Sequence, residues 1–265
     1  MKKAIALAAA AVMLLTLFTG CGKQPAEDNN TDKTTFTVGF DAEFPPYGQD
    51  ETGEYVGFDL DLAAEVCARN GWELVKKPIN WDSKDMELET GVISCIWNGF
   101  TMQGREDKYT WSKPYVDNSQ VIVVKKDSGI TDYAGLAGKN VAVQADSSAL
   151  AALTQNEDGS NADNIALAES FRSLTEVPDY NTAFLNLEAG AVDAIAMDIG
   201  VAQYQIAQRG DGFVILDGTI AGETYGVGFK LGNTELRDAV QKSLDEMVAD
   251  GTFAKIAEKW GLTEA

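Results

Sequence analysis

Two stretches of this chain can be laid over each other. LETGVISCIWN (88–98) and LEAGAVDAIAM (187–197) match at an offset of 99 residues, with Leu88 against Leu187, Glu89 against Glu188, Gly91 against Gly190 and Ile96 against Ile195. Each reads as the end of a helix, a glycine stop and then a buried strand. This unit constrains the fold most, because a helix that feeds a buried strand is the repeating step of an open α/β sheet. Any two helix–glycine–strand joints resemble each other, so the match leaves duplication open. What it supports is two similar α/β lobes, one in each half of the chain.

The flanking segments extend both lobes. TFTVGF (35–40) alternates and is β-branched, a strand. GFDLDLAAEVCARNG carries Leu62, Ala63, Val66 and Cys67 at helical spacing, with Asp59 as the expected N-cap and Gly71 past the end. WELVKKPI (72–79) predicts a second strand, residues 83–90 a short helix stopped at Gly91, and VISCIWNGF a third strand. In the second half KNVAVQ (139–144) predicts a strand, SSALAALTQN a helix, and YNTAFLNLEAGAVDAIAMD a helix followed by a strand. The tail predicts two core-facing helices, one striped by Leu236, Val240, Leu244, Met247 and Val248, the other by Phe253, Ile256, Ala257 and Trp260, with the break at Asp250-Gly251.

Composition removes several functions. The chain of 265 residues has no histidine, which excludes Ser-His-Asp and Cys-His catalysis and any imidazole zinc site. Its formal charge of -20 argues against nucleic acid, whose phosphates it would repel. Cys21, Cys67 and Cys95 are too few and too scattered for a disulfide scaffold, and the last two read as inert buried thiols rather than a bridge.

The start of the chain is an address. Lys2 and Lys3 precede an apolar run from Ala4 to Phe18, too short for a membrane span, and small Thr19 and Gly20 precede Cys21. Residues 1–20 therefore predict a secretory signal. Leu17-Phe18-Thr19-Gly20-Cys21 resembles the bacterial lipoprotein signal, in which the cysteine is lipidated, although Phe18 stands where Leu is usual. The polar stretch that follows, residues 21–34 including Cys21, has the composition of a flexible tether. The expected location is extracytoplasmic, lipid-anchored to the cell membrane.

In open α/β sheets the ligand crevice lies beyond the carboxyl ends of the strands. Asp41, Phe44, Trp81, Trp97, Asn98, Gly99, Thr101, Ala145 to Ser148 and Asp198 fall just past those ends, with Arg105 in a nearby turn. A guanidinium, a helix N-terminus, carboxylates and ring faces together suit a small zwitterion. Trp97 reads equally well as core. No second base is visible in these segments, while Asp41, Glu43 and Asp146 add negative charge, so a basic or polar uncharged ligand is expected ahead of an acidic one.

GFDAEFPPY, YVGFDLDLAAEV, NGFTMQGREDKYTWSKPY, LAGKNVAVQADSSA, VDAIAMD, YGVGF and DGTFAKIAEKWG resemble, in family order from about Thr35 to Gly261, the polar amino-acid family of solute-binding proteins that serve ABC importers (extracellular solute-binding proteins, family 3). The resemblance implies a two-lobe periplasmic-binding-protein-like α/β fold of type II. Lobe 1 would comprise 35–124 and 226–265, and lobe 2 residues 125–225, with hinge crossings near Val124 to Lys126 and near Thr224 to Phe229. It implies that Arg105 binds the ligand carboxylate, with Ser147 and Ser148, and that Asp198 binds the ammonium, with Thr101 and the backbone around Asn98 and Gly99. Phe44 and Trp81 would sandwich the side chain and Asp41 would read its end. The Gly99–Arg105 stretch is one residue shorter than the common family spacing, and Gln144, Ala145 and Asp146 replace a more usual basic or glycine-rich run. The expected partners are a free amino acid, ABC permease subunits and the membrane through a lipid anchor. No cofactor or metal is called for, and the chain is expected to act as a monomer and not as an enzyme. The alternatives are a small-carboxylate dehydratase, with Glu43, Asp146 or Glu223 as acid or base, and a sensory module.

Overall fold

The computed structural model describes residues 34–156 and 159–262. The expected signal peptide, Cys21 and all of the tether but its last residue lie outside them. Strand β1 (Thr35–Phe40) leads into a three-stranded hairpin of β2 (Glu43–Phe44), β3 (Gly48–Glu51) and β4 (Glu54–Val56), then α1 (Phe58–Asn70) and β5 (Glu73–Pro78). Helix α2 (Lys84–Glu89), β6 (Cys95–Ile96) and β7 (Thr110–Trp111) follow. The second half contains β8 (Val116–Lys125), β9 (Asn140–Gln144), α3 (Ser148–Thr154), α4 (Ala162–Glu169), β10 (Ser173–Val177), α5 (Tyr180–Ala189), β11 (Ala194–Asp198) and α6 (Ile199–Arg209). The chain closes with β12 (Phe213–Ile215), β13 (Ala221–Tyr225), β14 (Gly228–Phe229), α7 (Thr234–Asp250) and α8 (Thr252–Lys259).

Besides the small β2-β3-β4 sheet, two larger sheets form, one per lobe. The first has the order β5-β1-β6-β14-β7, parallel through β5, β1 and β6. The second has the order β10-β9-β11-β8-β12, with β13 also paired to β8. Helices α1, α7 and α8 cover the first sheet, where Leu62, Val66, Val240, Leu244 and Met247 bury against Phe36 and Val38. The second sheet buries Ile122, Val124, Val141, Val143, Ala194 and Ala196. Its central strands β9 and β11 read as apolar runs because both faces are covered.

The sequence reading missed β8 altogether. Its ten residues pair antiparallel with β11, Asp198 opposite Gln120, which places them in the second sheet. The chain therefore passes from the first lobe to the second between Trp111 and Val116, not near Val124 to Lys126, and the 35–124 boundary moves back accordingly. It returns between Tyr225 and Gly228.

Three smaller expectations also change. VISCIWNGF contributes only Cys95 and Ile96 to the sheet, because the chain turns away at Gly99, whose φ is +55°. A Cβ there would lie 2.9 Å from the ring of Tyr225 and 3.0 Å from that of Phe44, so only glycine fits. The N-cap of α1 is Gly57, not Asp59, and Val248 faces solvent instead of the core. Trp97 is fully buried in the core, and Cys67 and Cys95 are free buried thiols, both pushed up in pKa by burial.

Candidate functional site

The carboxyl ends of β1, β5, β6, β9 and β11 converge on the gap between the lobes. Eight residues singled out from the sequence line one small cavity there: Phe44, Trp81, Gly99, Thr101, Arg105, Ser147, Ser148 and Asp198, joined by Gln144. Its free volume is about 10 Å³, room for no more than a water. The space is closed by side chains meeting from opposite lobes. Asn98 does not line it; its buried amide packs against Gly48.

On one wall Arg105 is half-buried, its guanidinium 5.3 Å from the ring centre of Phe100. Nη1 donates to the Thr101 carbonyl at 3.4 Å and Nη2 to the Asp146 carbonyl at 3.0 Å, the latter across the cleft. Carbonyl oxygens are weak partners for a guanidinium, so these bonds yield readily to a carboxylate. Of the two serines expected beside it, Ser147 is spent on the fold. Its hydroxyl accepts from the Leu150 N–H at 3.1 Å and its own N–H donates to the Gln144 carbonyl at 3.3 Å. The Ser148 hydroxyl donates to Glu223 at 2.6 Å.

Asp198 forms the opposite wall, and a second buried carboxylate, Glu223, lies beside it on the edge of a separate chamber of about 620 Å³. Asp198 Oδ1 accepts from Tyr225 Oη at 2.6 Å, Gln120 Nε2 at 2.8 Å and Asn118 Nδ2 at 3.1 Å. Glu223 Oε2 accepts from Ser148 and from Thr101 Oγ1 at 2.8 Å, while its Oε1 accepts from Gln120 Nε2 at 2.7 Å. Burial, and then the charge of Glu223, hold the Asp198 carboxyl well above the usual carboxylate range.

Asp41 lies off the central cavity, in a larger neighbouring chamber of about 610 Å³ that shares Trp81 with it. Asp41 Oδ1 accepts the Glu43 N–H at 2.8 Å and Oδ2 accepts Gln144 Nε2 at 2.7 Å from the other lobe. Burial raises its pKa to about 6. Glu43, Asp82, Glu87 and Asp179 line the same chamber, and no Lys or Arg does.

Sequence reasoning missed Lys84, and with it the expectation of no second base fails. Lys84 is 1% exposed and pairs across the cleft with Asp146. Burial lowers its pKa and the Asp146 carboxylate raises it. Buried ammonium groups are rare enough in short helices that composition gave no warning. Asn118 and Gln120 were missed with β8; spaced by two in the polar first half of the strand, they share one face. The sequence singles out Glu223 only as an acid or base of the dehydratase alternative. Among the described residues no group of three Cys, Asp or Glu side chains gathers as a metal site.

The family model for bacterial extracellular solute-binding proteins, family 3, matches residues 36–263. The L-cystine-binding protein TcyJ of Escherichia coli is 28% identical over 233 residues, covering 86% of this chain and 83% of that protein. The arginine-binding extracellular protein ArtP of Bacillus subtilis is 28% identical over 264 residues, covering 98% of each. Among solved structures, the substrate-binding protein of an ABC uptake transporter from Streptococcus pneumoniae, with histidine bound, superposes with a TM-score of 0.79 at 31% identity over 85% of this chain and 92% of that one. An ancestral arginine-binding protein bound to arginine gives 0.76 at 35% identity, over 86% and 98% of the two chains.

Proposed function

The chain belongs to the bacterial extracellular solute-binding proteins of family 3, and from that premise we propose that it captures one free amino acid, basic in preference, for delivery to an ABC importer. Amino-acid binding for ABC transport is the common function of its relatives, whose ligands include cystine, arginine, histidine and glutamine. The observation that carries the reading here is one cavity with a guanidinium on one wall and the buried Asp198 carboxylate on the other. An amino acid presents the complementary pair, a carboxylate for Arg105 and an ammonium for Asp198.

The preference for a basic side chain is supported by the neighbouring chamber. Phe44 and Trp81 stand at the central cavity, and beyond Trp81 five acidic residues line space with no cation of its own. A lysine or arginine side chain passing Trp81 would find its counter-charge at Asp41. Lys84 does not cancel this, because its charge is met by Asp146.

The protein binds its ligand without transforming it, acts as a monomer, and is tethered to the membrane through Cys21. No helix among the described residues is long and apolar enough to cross a membrane. Entry and exit of the ligand require the lobes to separate, since the closed cavity admits only a water. A thermal-shift screen of the amino acids tests the reading, because a ligand that binds only the native state raises the melting temperature. Arginine or lysine is expected to give the largest shift. No shift with any amino acid would overturn the assignment.

A further inference from the structure

Asp198 and Glu223 are gripped by the same two amides. Asn118 Nδ2 and Gln120 Nε2 each donate to Asp198 Oδ1 and to Glu223 Oε1. The remaining donors are hydroxyls: Tyr225 and Tyr180 on Asp198, Ser148 and Thr101 on Glu223. Every one of these donors is neutral. The phenols of Tyr47, Tyr180 and Tyr225 face the pair, and burial raises the pKa of all three, so they carry no charge near neutrality. Arg105, the cation lining the Asp198 cavity, is engaged with the carbonyls of Thr101 and Asp146, and Lys108 and Glu106 line the chamber beside Glu223 without an ion pair to it. Among the described residues neither carboxylate has an ion-pair partner. Gln120, fully buried between them, leaves its Oε1 without a hydrogen-bond donor.

Two buried carboxylates bridged by the same two amide nitrogens, with no ion-pair partner among the described residues, repel each other and hold one proton between them. An amino acid brings one ammonium to this place. With it seated, the second carboxylate can ionise, and the orphaned Gln120 Oε1 gains a donor. We propose that Asp198 and Glu223 act as one unit that exchanges a shared proton for the ammonium of the incoming amino acid, Glu223 being the second ammonium-binding residue. The pair carries one negative charge before binding. Afterwards two carboxylates and one ammonium carry the same net charge, and one proton has left for solvent. The proposal rests on the amino-acid reading above.

The consequence is a binding equilibrium that takes up pH. Below the pKa of the shared proton the affinity falls by up to about tenfold per pH unit, and above it the affinity is flat. The test is calorimetry with the amino acid that gives the largest thermal shift, L-arginine and L-glutamine being screened first. Titrations at neutral pH in phosphate and in Tris, whose ionisation heats differ, count protons released. About one proton per amino acid is expected at a pH below the shared pKa. Asp41 titrates in the same range from the neighbouring chamber, so the count is repeated in Asp41→Asn, where the release is expected to persist. In Glu223→Gln the release is expected to vanish, with binding weakened and its pH profile flattened. A wild-type protein that binds an amino acid with no proton release and a flat profile overturns the proposal, as does Glu223→Gln releasing as many protons as wild type. If Glu223→Gln does not fold, the wild-type proton count decides alone. If no amino acid binds at all, it is the amino-acid reading that fails.

Discussion

Lys84 of the first lobe and Asp146 of the second form an ion pair across the cleft, and the carbonyl of the same Asp146 accepts from Arg105. Asp146 sits in left-handed backbone, φ +54°, at the turn between β9 and α3. One residue of the second lobe thus holds two cations of the first. The lysine stem is buried while the Asp146 side chain is half in water, 52% exposed.

Such a pair acts as a latch on the closed form. Lys84→Met keeps the buried stem and removes the charge. Because Asp146 is half exposed, the loss is expected to be about 1 kcal/mol or less. It would appear as dissociation up to roughly fivefold faster, read by stopped-flow tryptophan fluorescence from Trp81 at the cavity. An unchanged off-rate would show that the pair does not oppose opening.

Removing the guanidinium should cost more. Arg105→Ala is expected to weaken amino-acid binding by about 2 kcal/mol or more, the usual loss when one partner of a desolvated charge pair is removed. Arg105→Lys should recover only part of it, since an ammonium lacks the planar two-pronged donor set. Calorimetry at fixed pH measures both, and wild-type affinity in Arg105→Ala would remove this residue from the site.

Asp41 decides between ligand classes. Asp41→Asn should weaken arginine or lysine at least about tenfold more than it weakens glutamine, because only a cationic end loses its counter-charge. Competition at equilibrium with labelled arginine measures the ratio. Equal losses for the basic and the neutral ligand would mean that the acidic chamber does not read the side chain.

Asp59 makes stability depend on pH. It is fully buried, accepting from the Gly99 N–H and from Tyr115 Oη, and burial lifts its pKa to about 7. The native state therefore holds this proton more tightly than the unfolded chain. Stability falls as pH rises from about 4 to about 7 and the full penalty is present above 7. Asp59→Asn keeps an acceptor for Gly99 and removes the titration. Denaturant unfolding at pH 5 and pH 8 should show the variant gaining on wild type by roughly 2–4 kcal/mol between the two conditions. A constant difference would refute the buried titration.

Cys21 lies outside the described residues, and its role is tested in cells. Cys21→Ala should release the protein from the membrane fraction. Retention of the variant at wild-type level would contradict the lipid tether.

Much of the fold was legible because its parts are local. The glycines after α1 and α5 adopt the left-handed conformation that ends a helix, and the period of the tail separates α7 from α8 at Gly251. The central parallel strands β9 and β11 carry apolar runs that need no partner to be recognised. Strand β8 escaped because its identity is a matter of pairing: the polar run Asp117 to Gln120 precedes its short apolar stretch, and only β11, β12 and β13 around it make it one strand. The hinge was misplaced with it.

The sequence by itself determined two α/β lobes and named eight residues that line the central cavity, because the residue after a parallel strand is carried to the same edge wherever the strand goes. Tertiary structure alone decided charge. Asp198 and Glu223 are 25 positions apart in the chain yet share two amides, and Lys84 and Asp146, from different lobes, neutralise each other. Proton and ion-pair energies depend on distance and on exclusion of water, and neither is written in the spacing of residues along the chain.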